Sequence, residues 1–169
     1  MNFSINKVLP EEAYEYAACH IACWQSAYKG IVPDGYLENM QKEIEQRAER
    51  TKKNLAESPD SFYCAKLENR IVGVLIFSKS RDEDKPDAGE VGAIYLLAEF
   101  WGKGYGRQMM DFAIETLKNA GYHEIILWVL EENHRARRFY EKYGFIFDGT
   151  KKEIILGKSL TEVRYMLGV

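Results

Sequence analysis

The sequence predicts a single domain over residues 1–169, of the α/β (α+β) class, in which one mixed, mostly antiparallel sheet of about seven strands is flanked by about four helices. Strand-like and helix-like hydrophobic periods alternate in the order β-α-α-β-β-β-α-β-α-β-β. Short turns join strand-like runs in the middle and at the end of the chain, which makes hairpins. A strand–helix–strand passage between about residues 90 and 130 requires a parallel crossover within the same sheet. No repeat, low-complexity tract or long linker divides the chain.

Residues 3–9 read as a short strand. Pro10 opens a helix whose apolar positions Tyr14, Ala17, Ala18, Ile21, Trp24 and Tyr28 keep helical spacing up to Gly30. The connector 31–35, with Pro33 and Gly35, breaks it. Leu37, Met40, Ile44, Ala48, Thr51 and Leu55 form an apolar stripe on an otherwise charged segment, the pattern of a surface helix with one buried edge, and Ser58-Pro59-Asp60 ends it. Residues 62–67 and 71–78, rich in aromatic and β-branched side chains, flank the turn 68–70 as a hairpin. The polar stretch 79–89 reads as a loop, and its charge run Arg81-Asp82-Glu83-Asp84-Lys85 as a solvated one. Another strand covers 90–97. After a glycine cluster, Met109, Phe112, Ala113, Thr116, Leu117 and Ala120 mark a helix that stops at Gly121. Residues 123–130 form a buried strand. Asn133 caps a helix carrying Ala136, Phe139, Tyr140 and Tyr143, which stops at Gly144. Residues 145–155 and 160–167 make a closing hairpin about Gly157-Lys158-Ser159.

Composition narrows the function. The chain is 46% apolar and 29% charged, as for a compact soluble domain, and its 23 Lys+Arg against 26 Asp+Glu leave a net charge of −3. A protein that grips nucleic-acid phosphates needs a basic footprint, so no nucleic-acid partner is expected. The longest apolar runs, 71–77 and 125–130, fall far short of the roughly 20 residues that span a bilayer. Residues 1–4 lack the layout of a signal peptide, so no membrane association and a cytoplasmic address are expected. The cysteines, Cys19, Cys23 and Cys64, are odd in number, and no second ligand pair with zinc-like spacing accompanies Cys19, His20 and Cys23. Free thiols and no metal are the expectation.

The most informative stretch is Phe100-Trp101-Gly102-Lys103-Gly104-Tyr105-Gly106-Arg107, between a strand and a helix. Three glycines in five residues let the backbone approach a ligand, and the helix that follows offers unpaired N–H groups and the positive end of its dipole. Such a place binds phosphate. Lys103 and Arg107 add local positive charge. A Rossmann fingerprint fails on spacing, because the sixth place holds Arg107 or Met109 and not glycine, and a Walker loop fails for want of Gly-Lys-Ser/Thr. A tight connection without a ligand is the remaining structural reading.

Trp101-x-x-Gly104-x-Gly106, behind the strand 90–97, is similar to the acetyl-CoA signature of the GNAT superfamily of N-acetyltransferases, Arg/Gln-x-x-Gly-x-Gly/Ala, with Trp101 in place of the usual Arg or Gln. Asn133-His-Arg-Ala136-Arg-Arg-Phe139-Tyr140-Glu-Lys-Tyr-Gly144-Phe145 resembles that family's Asn-x-x-Ala-x-x-x-Tyr-x-x-x-Gly-Phe segment, and residues 24–33 resemble one acetyltransferase subgroup. The resemblance implies the acyl-CoA N-acyltransferase fold and acetyl-CoA as co-substrate. It assigns the pyrophosphate to backbone N–H groups of Gly102, Lys103, Gly104, Gly106 and Arg107, in a segment that also carries Trp101 and Tyr105. The pantetheine arm would pair with backbone groups of Ile94, Leu96 and Ala98 in the manner of an added strand. Asn133 would bond the arm or cap its own helix. Gly92, inside the strand, fits a bulge or a packing need.

The implied reaction is direct transfer of acetyl from the thioester to an amine, with no covalent enzyme intermediate. At pH 7 a lysine-like amine of pKa about 10.4 must shed a proton at a cost of roughly 4.6 kcal/mol. Glu90, at the start of the strand, stands where some family members carry a glutamate base; its alternatives are a surface carboxylate or a water chain in its stead. Tyr140 is the implied donor to the leaving thiolate, or else a packing aromatic like its neighbours. Trp24, Tyr28 and Tyr36 are candidates for the acceptor wall, and each has a core reading as well. The basic turn 134–138 reads as a solvated face or as a contact for the cofactor's 3′-phosphate. A homodimer is compatible with the chain. A catalytically inert CoA-binding module of the same fold is the competing function.

Overall fold

The structure is a computed structural model that describes residues 2–169. Among them are seven strands and five α-helices: β1 (Phe3–Lys7), α1 (Ala13–Ala27), α2 (Asp34–Lys42), α3 (Ile44–Glu57), β2 (Phe62–Leu67), β3 (Arg70–Lys79), β4 (Gly89–Leu96), α4 (Tyr105–Asn119), β5 (Glu124–Leu130), α5 (His134–Tyr143), β6 (Ile146–Ile155) and β7 (Ser159–Gly168). Single 3-10 turns at Pro10–Glu12 and Ala98–Phe100 lead into α1 and out of β4. The stripe from Leu37 to Leu55, expected as one helix, is two. Glu43 leaves helical geometry between them at φ −98°, ψ 7°, yet Met40 and Ile44 on either side stay buried in the same cluster.

The strands form one sheet in the order β1-β2-β3-β4-β5-β7-β6, antiparallel except for β4 and β5. The β2–β3 hairpin turns through Glu68 and Asn69, both at positive φ (48° and 72°), the two-residue geometry that matches strand twist. Period-two alternation sends Tyr63, Ala65 and Leu67 to one face and Cys64 to the other. The first face packs on α4 through Met109, Met110, Ala113 and Leu117, and α5 adds Tyr140 to this cluster. On the other face α1 and α3 bring Tyr16, Cys19, Cys23 and Leu55 against Ile71 and Val74. All three cysteines are free and buried there.

Two irregularities position the site. The parallel β4–β5 contact holds only at Gly89↔Ile125 and Glu90↔Ile126, after which the strands part. Within β4 the register against β3 jumps from Ile76↔Ala93 to Phe77↔Val91, leaving Gly92 as an unpaired extra residue, a bulge that bends the strand.

The charge run stays largely exposed, as expected, but Asp82 and Asp84 within it are also tied down. Arg164 of β7 is buried and donates to Asp82 (2.8 Å), Asp84 (2.7 Å) and Asp148 (2.7 Å), while Asp82 also accepts from the Trp128 indole at 2.9 Å. The β3–β4 loop thereby covers a stretch of β5 and β7. Removing the cation would leave carboxylates facing one another, so Arg164→Met is expected to cost about 3 kcal/mol in urea unfolding. Hydrogen bonding to Arg164 holds the Asp84 carboxyl below its ordinary value. Burial draws Asp148 upward, but the Thr150 N–H and Arg164 outweigh it and the net direction is down. Both folded-state values are depressed, so this stabilisation is present above about pH 4 and is lost as the pH falls through them.

Candidate active site

Beyond the bulge, the Leu97 N–H donates to Val72 O of β3 at 2.9 Å. By the two-residue period of a strand, Ile94 and Leu96 then turn their own N–H and C=O groups into the gap left by β5. β4 stops at Leu96. Ala98 lies in the 3-10 turn that follows, and its carbonyl accepts from the Trp101 N–H at 3.1 Å, so its expected place along an added strand is corrected. The Leu96 carbonyl is met by the Trp101 indole N–H at 2.7 Å, and the Arg135 guanidinium lies 3.5 Å from the centroid of that indole. A residue from β4's exit and one from the first turn of α5 thus join across the mouth of the gap.

The glycine cluster folds as a cradle. Gly102 and Gly104 sit at φ +74° and +86°, conformations that side chains rarely adopt, and space around both is open to 4 Å. Gln108 is the first residue of α4 whose N–H is bonded to a backbone carbonyl, that of Gly104 at 3.2 Å. The amides ahead of it are left to an incoming acceptor. Arg107 lies at the same end, 3.9 Å from Asp111. These residues border a cavity of about 280 Å³ lined by Ile94, Leu96, Trp101, Gly102, Gly104, Gly106, Arg107 and Tyr140. Lys103 and Tyr105 do not line it: Lys103 lies over Phe100, and Tyr105 stacks on Phe3 at 4.6 Å.

A second cavity, of about 50 Å³, is lined by Tyr28, Gly92, Trp128 and Asn133. Ile94, Tyr95, Arg135 and Tyr140 border both. Tyr140 therefore stands where the two spaces adjoin. It is buried, and burial pushes its phenol well above the ordinary value, so the hydroxyl stays protonated and able to donate. Tyr28 and Tyr95 share a hydrogen bond of 2.6 Å. Burial pushes Tyr28 up to about 12 and Tyr95 well up, which keeps the pair neutral.

Several expected site residues sit elsewhere. Glu90 is buried at the closed end of the β4–β5 join and borders neither cavity. Its carboxylate accepts from the Arg81 guanidinium at 2.7 and 3.3 Å and from the Arg81 N–H at 3.0 Å, so that ion pair must open before it can take a proton. Asn133 caps α5, accepting from the Ala136 N–H at 3.2 Å. Of the acceptor candidates Tyr28 lines the smaller cavity, and Trp24 and Tyr36 line neither of these two. Trp24 packs edge-on against Tyr28 at 4.9 Å, and Tyr36 packs at Gly157 of the β6–β7 turn. Tyr95 and Trp128 carry no such expectation from the sequence, and Arg135 belongs to the basic turn 134–138. Tyr95 follows Ile94 on the opposite strand face, and Arg135 lies two residues past the Asn133 cap.

A sheet split beside a strand-to-helix bend with open amides, and a buried tyrosine at the junction of two cavities, have the shape and donors that suit a long, phosphate-bearing ligand. The acetyltransferase (GNAT) family model matches residues 21–145. The chain is 30% identical over 136 residues to the uncharacterized N-acetyltransferase YuaI of Bacillus subtilis, covering 79% of this chain and 75% of that protein. Its fold superposes on PaiA N-acetyltransferase of Thermoplasma acidophilum, solved in complex with coenzyme A, with a TM-score of 0.80, 20% identity and full coverage of both chains. An N-acetyltransferase from Staphylococcus aureus Mu50 gives a TM-score of 0.74 at 18% identity over 99% of each chain. This chain belongs to the GNAT family of N-acetyltransferases. No helix among its described residues is long and apolar enough to cross a membrane.

Proposed function

We propose that the protein transfers acetyl from acetyl-CoA directly to a primary amine of a small molecule or peptide. The observation that carries this reading is Tyr140 on the border between the cradle's cavity and the smaller one. The residues fit the cofactor: open amides before Gln108 suit a diphosphate, and the Ile94 N–H and C=O with the Leu96 N–H, turned to the gap while the Leu96 carbonyl is held by Trp101, suit an extended amide-bearing arm. Acetyl-CoA would supply the activated acyl group. Direct transfer is supported by the cavity linings, which hold no cysteine or serine, while the three cysteines are buried in the opposite core.

In this reading Tyr140 donates to the departing sulfur, and the amine attacks in its neutral form. Its proton goes to water. If Glu90 does not act as base, Glu90→Gln is expected to keep the shape of the kcat/KM against pH profile. A loss beyond about a hundredfold, with the rising limb altered, would reinstate Glu90. Arg135 supplies beside Trp101 the guanidinium that the signature position lacks. Arg135→Ala is expected to raise the dissociation constant for CoA about tenfold by calorimetry, and an unchanged constant would remove Arg135 from the cofactor site.

The locked Glu90–Arg81 pair favours a second reading, an inert CoA-binding module. Thermal unfolding with acetyl-CoA at 100 times its dissociation constant should show about 2.7 kcal/mol of added stability in either case. Thiol release across a panel of amines separates the two: binding without release at any amine would establish the module, and absence of binding would reject both.

A further inference from the structure

Four buried polar atoms have no hydrogen-bond partner among the described residues: Tyr16 Oη, His20 Nε2, Trp24 Nε1 and Arg47 Nε. Three belong to residues lining one cavity of about 130 Å³ between α1, α3 and the sheet, whose wall also includes Arg50, Thr51 and Asn54. The fourth, Trp24, follows one turn along α1, its ring 6.1 Å from that of His20. This space shares no lining residue with the two cavities at Tyr140; the contact of His20 with Tyr95, 5.1 Å between ring centroids, lies between them.

The unpaired atoms define the chemistry that a partner must have. A guanidinium Nε–H can only donate, and a tyrosine hydroxyl can donate, so these groups call for an acceptor. The lining contains two arginines and no carboxylate. Arg47 reaches Glu43 only at 3.3 Å, through its other end, and Arg50 forms no ion pair among the described residues. Burial, with Arg47 adding its repulsion, pushes His20 down to about 4, so the imidazole is neutral at pH 7 and one of its nitrogens carries a proton to offer. A buried donor left bare costs stability, and the space exceeds the roughly 30 Å³ of a single water.

We propose that this cavity binds a small oxyanion, a phosphate or carboxylate group, held by Arg47 and Arg50 with Tyr16 and His20 donating from α1. The site is independent of acetyl transfer. The test is a titration of the cofactor-free protein with inorganic phosphate, and separately with acetate, at constant ionic strength set by sodium chloride, following the three histidine rings by long-range proton–nitrogen NMR. Saturable movement of His20, with His123 and His134 still, is expected for at least one anion. Phosphate alone would mark a tetrahedral ligand, and both anions a site for any oxyanion. Arg47→Met should weaken binding about tenfold or more, and Arg50→Met gives the same reading should the first variant not fold. No saturable movement, an equal response to chloride, or equal affinity in the arginine variants would overturn the proposal and leave a water-filled cavity. Acetyl-CoA binding, measured on the same samples, stands or falls separately.

Discussion

Replacing Tyr140 with phenylalanine is expected to lower kcat by roughly 10²–10⁴ while leaving the dissociation constant for acetyl-CoA within about twofold. The ring is buried, so phenylalanine keeps its contacts with Phe139 and Phe145, and only the hydroxyl at the border of the two cavities is lost. Among the described residues no side chain or backbone group accepts from that hydroxyl, so its removal orphans nothing there and the fold should be as stable as before. Because burial raises the phenol, it stays protonated through the range in which an amine acceptor loses its proton. The kcat/KM profile of both proteins should therefore rise to the amine's own pKa with no falling limb from Tyr140. Steady-state kinetics on the two proteins decide the matter: equal kcat would assign Tyr140 to packing alone.

Gly104→Val should weaken acetyl-CoA binding by roughly 10²–10⁴, since several charge-assisted backbone contacts at about 1.5–3 kcal/mol each would be misdirected together. The cause is the backbone. A Cβ at Gly104 would meet nothing within 4 Å, but φ is +86°, and a β-branched residue would rotate the bend toward negative φ and swing the amides ahead of Gln108 out of the cradle. Staying in place instead would cost about 1–2 kcal/mol of stability. Calorimetry and urea unfolding together distinguish these responses. Undiminished affinity with a folded protein would show that this bend does not hold the diphosphate.

What the chain reveals before folding follows the range of the interactions concerned. The β2–β3 hairpin is legible because its Tyr, Val and Ile runs and the two-residue turn at Glu68 and Asn69 act within a few residues of each other. The cradle and the Asn133 cap are legible for the same reason, each lying in one short segment. The break at Glu43 has no glycine or proline to announce it, and the apolar stripe runs on across it, since Met40 and Ile44 on either side share one buried cluster. Arg164 meets Asp82 and Asp84 from more than seventy positions away, so the acidic run looks solvated until the sheet brings β7 beneath it. Arg135 and Tyr95 join the site in the same way, by the approach of α5 and α1 to β4. For Glu90, position along β4 was readable, but its partner Arg81 depends on the course of the loop between β3 and β4.

The short β4–β5 join has a consequence for solubility. An unsatisfied strand edge on the outside of a protein is a template on which other chains stack. Here the bare edge of β4 faces inward, flanked by helices on one side and the diverging β5 on the other, so a second sheet cannot dock there while a single thin extended molecule can enter. The Ile94 N–H and C=O and the Leu96 N–H thus lie along a slot narrow enough to select a thread over a sheet.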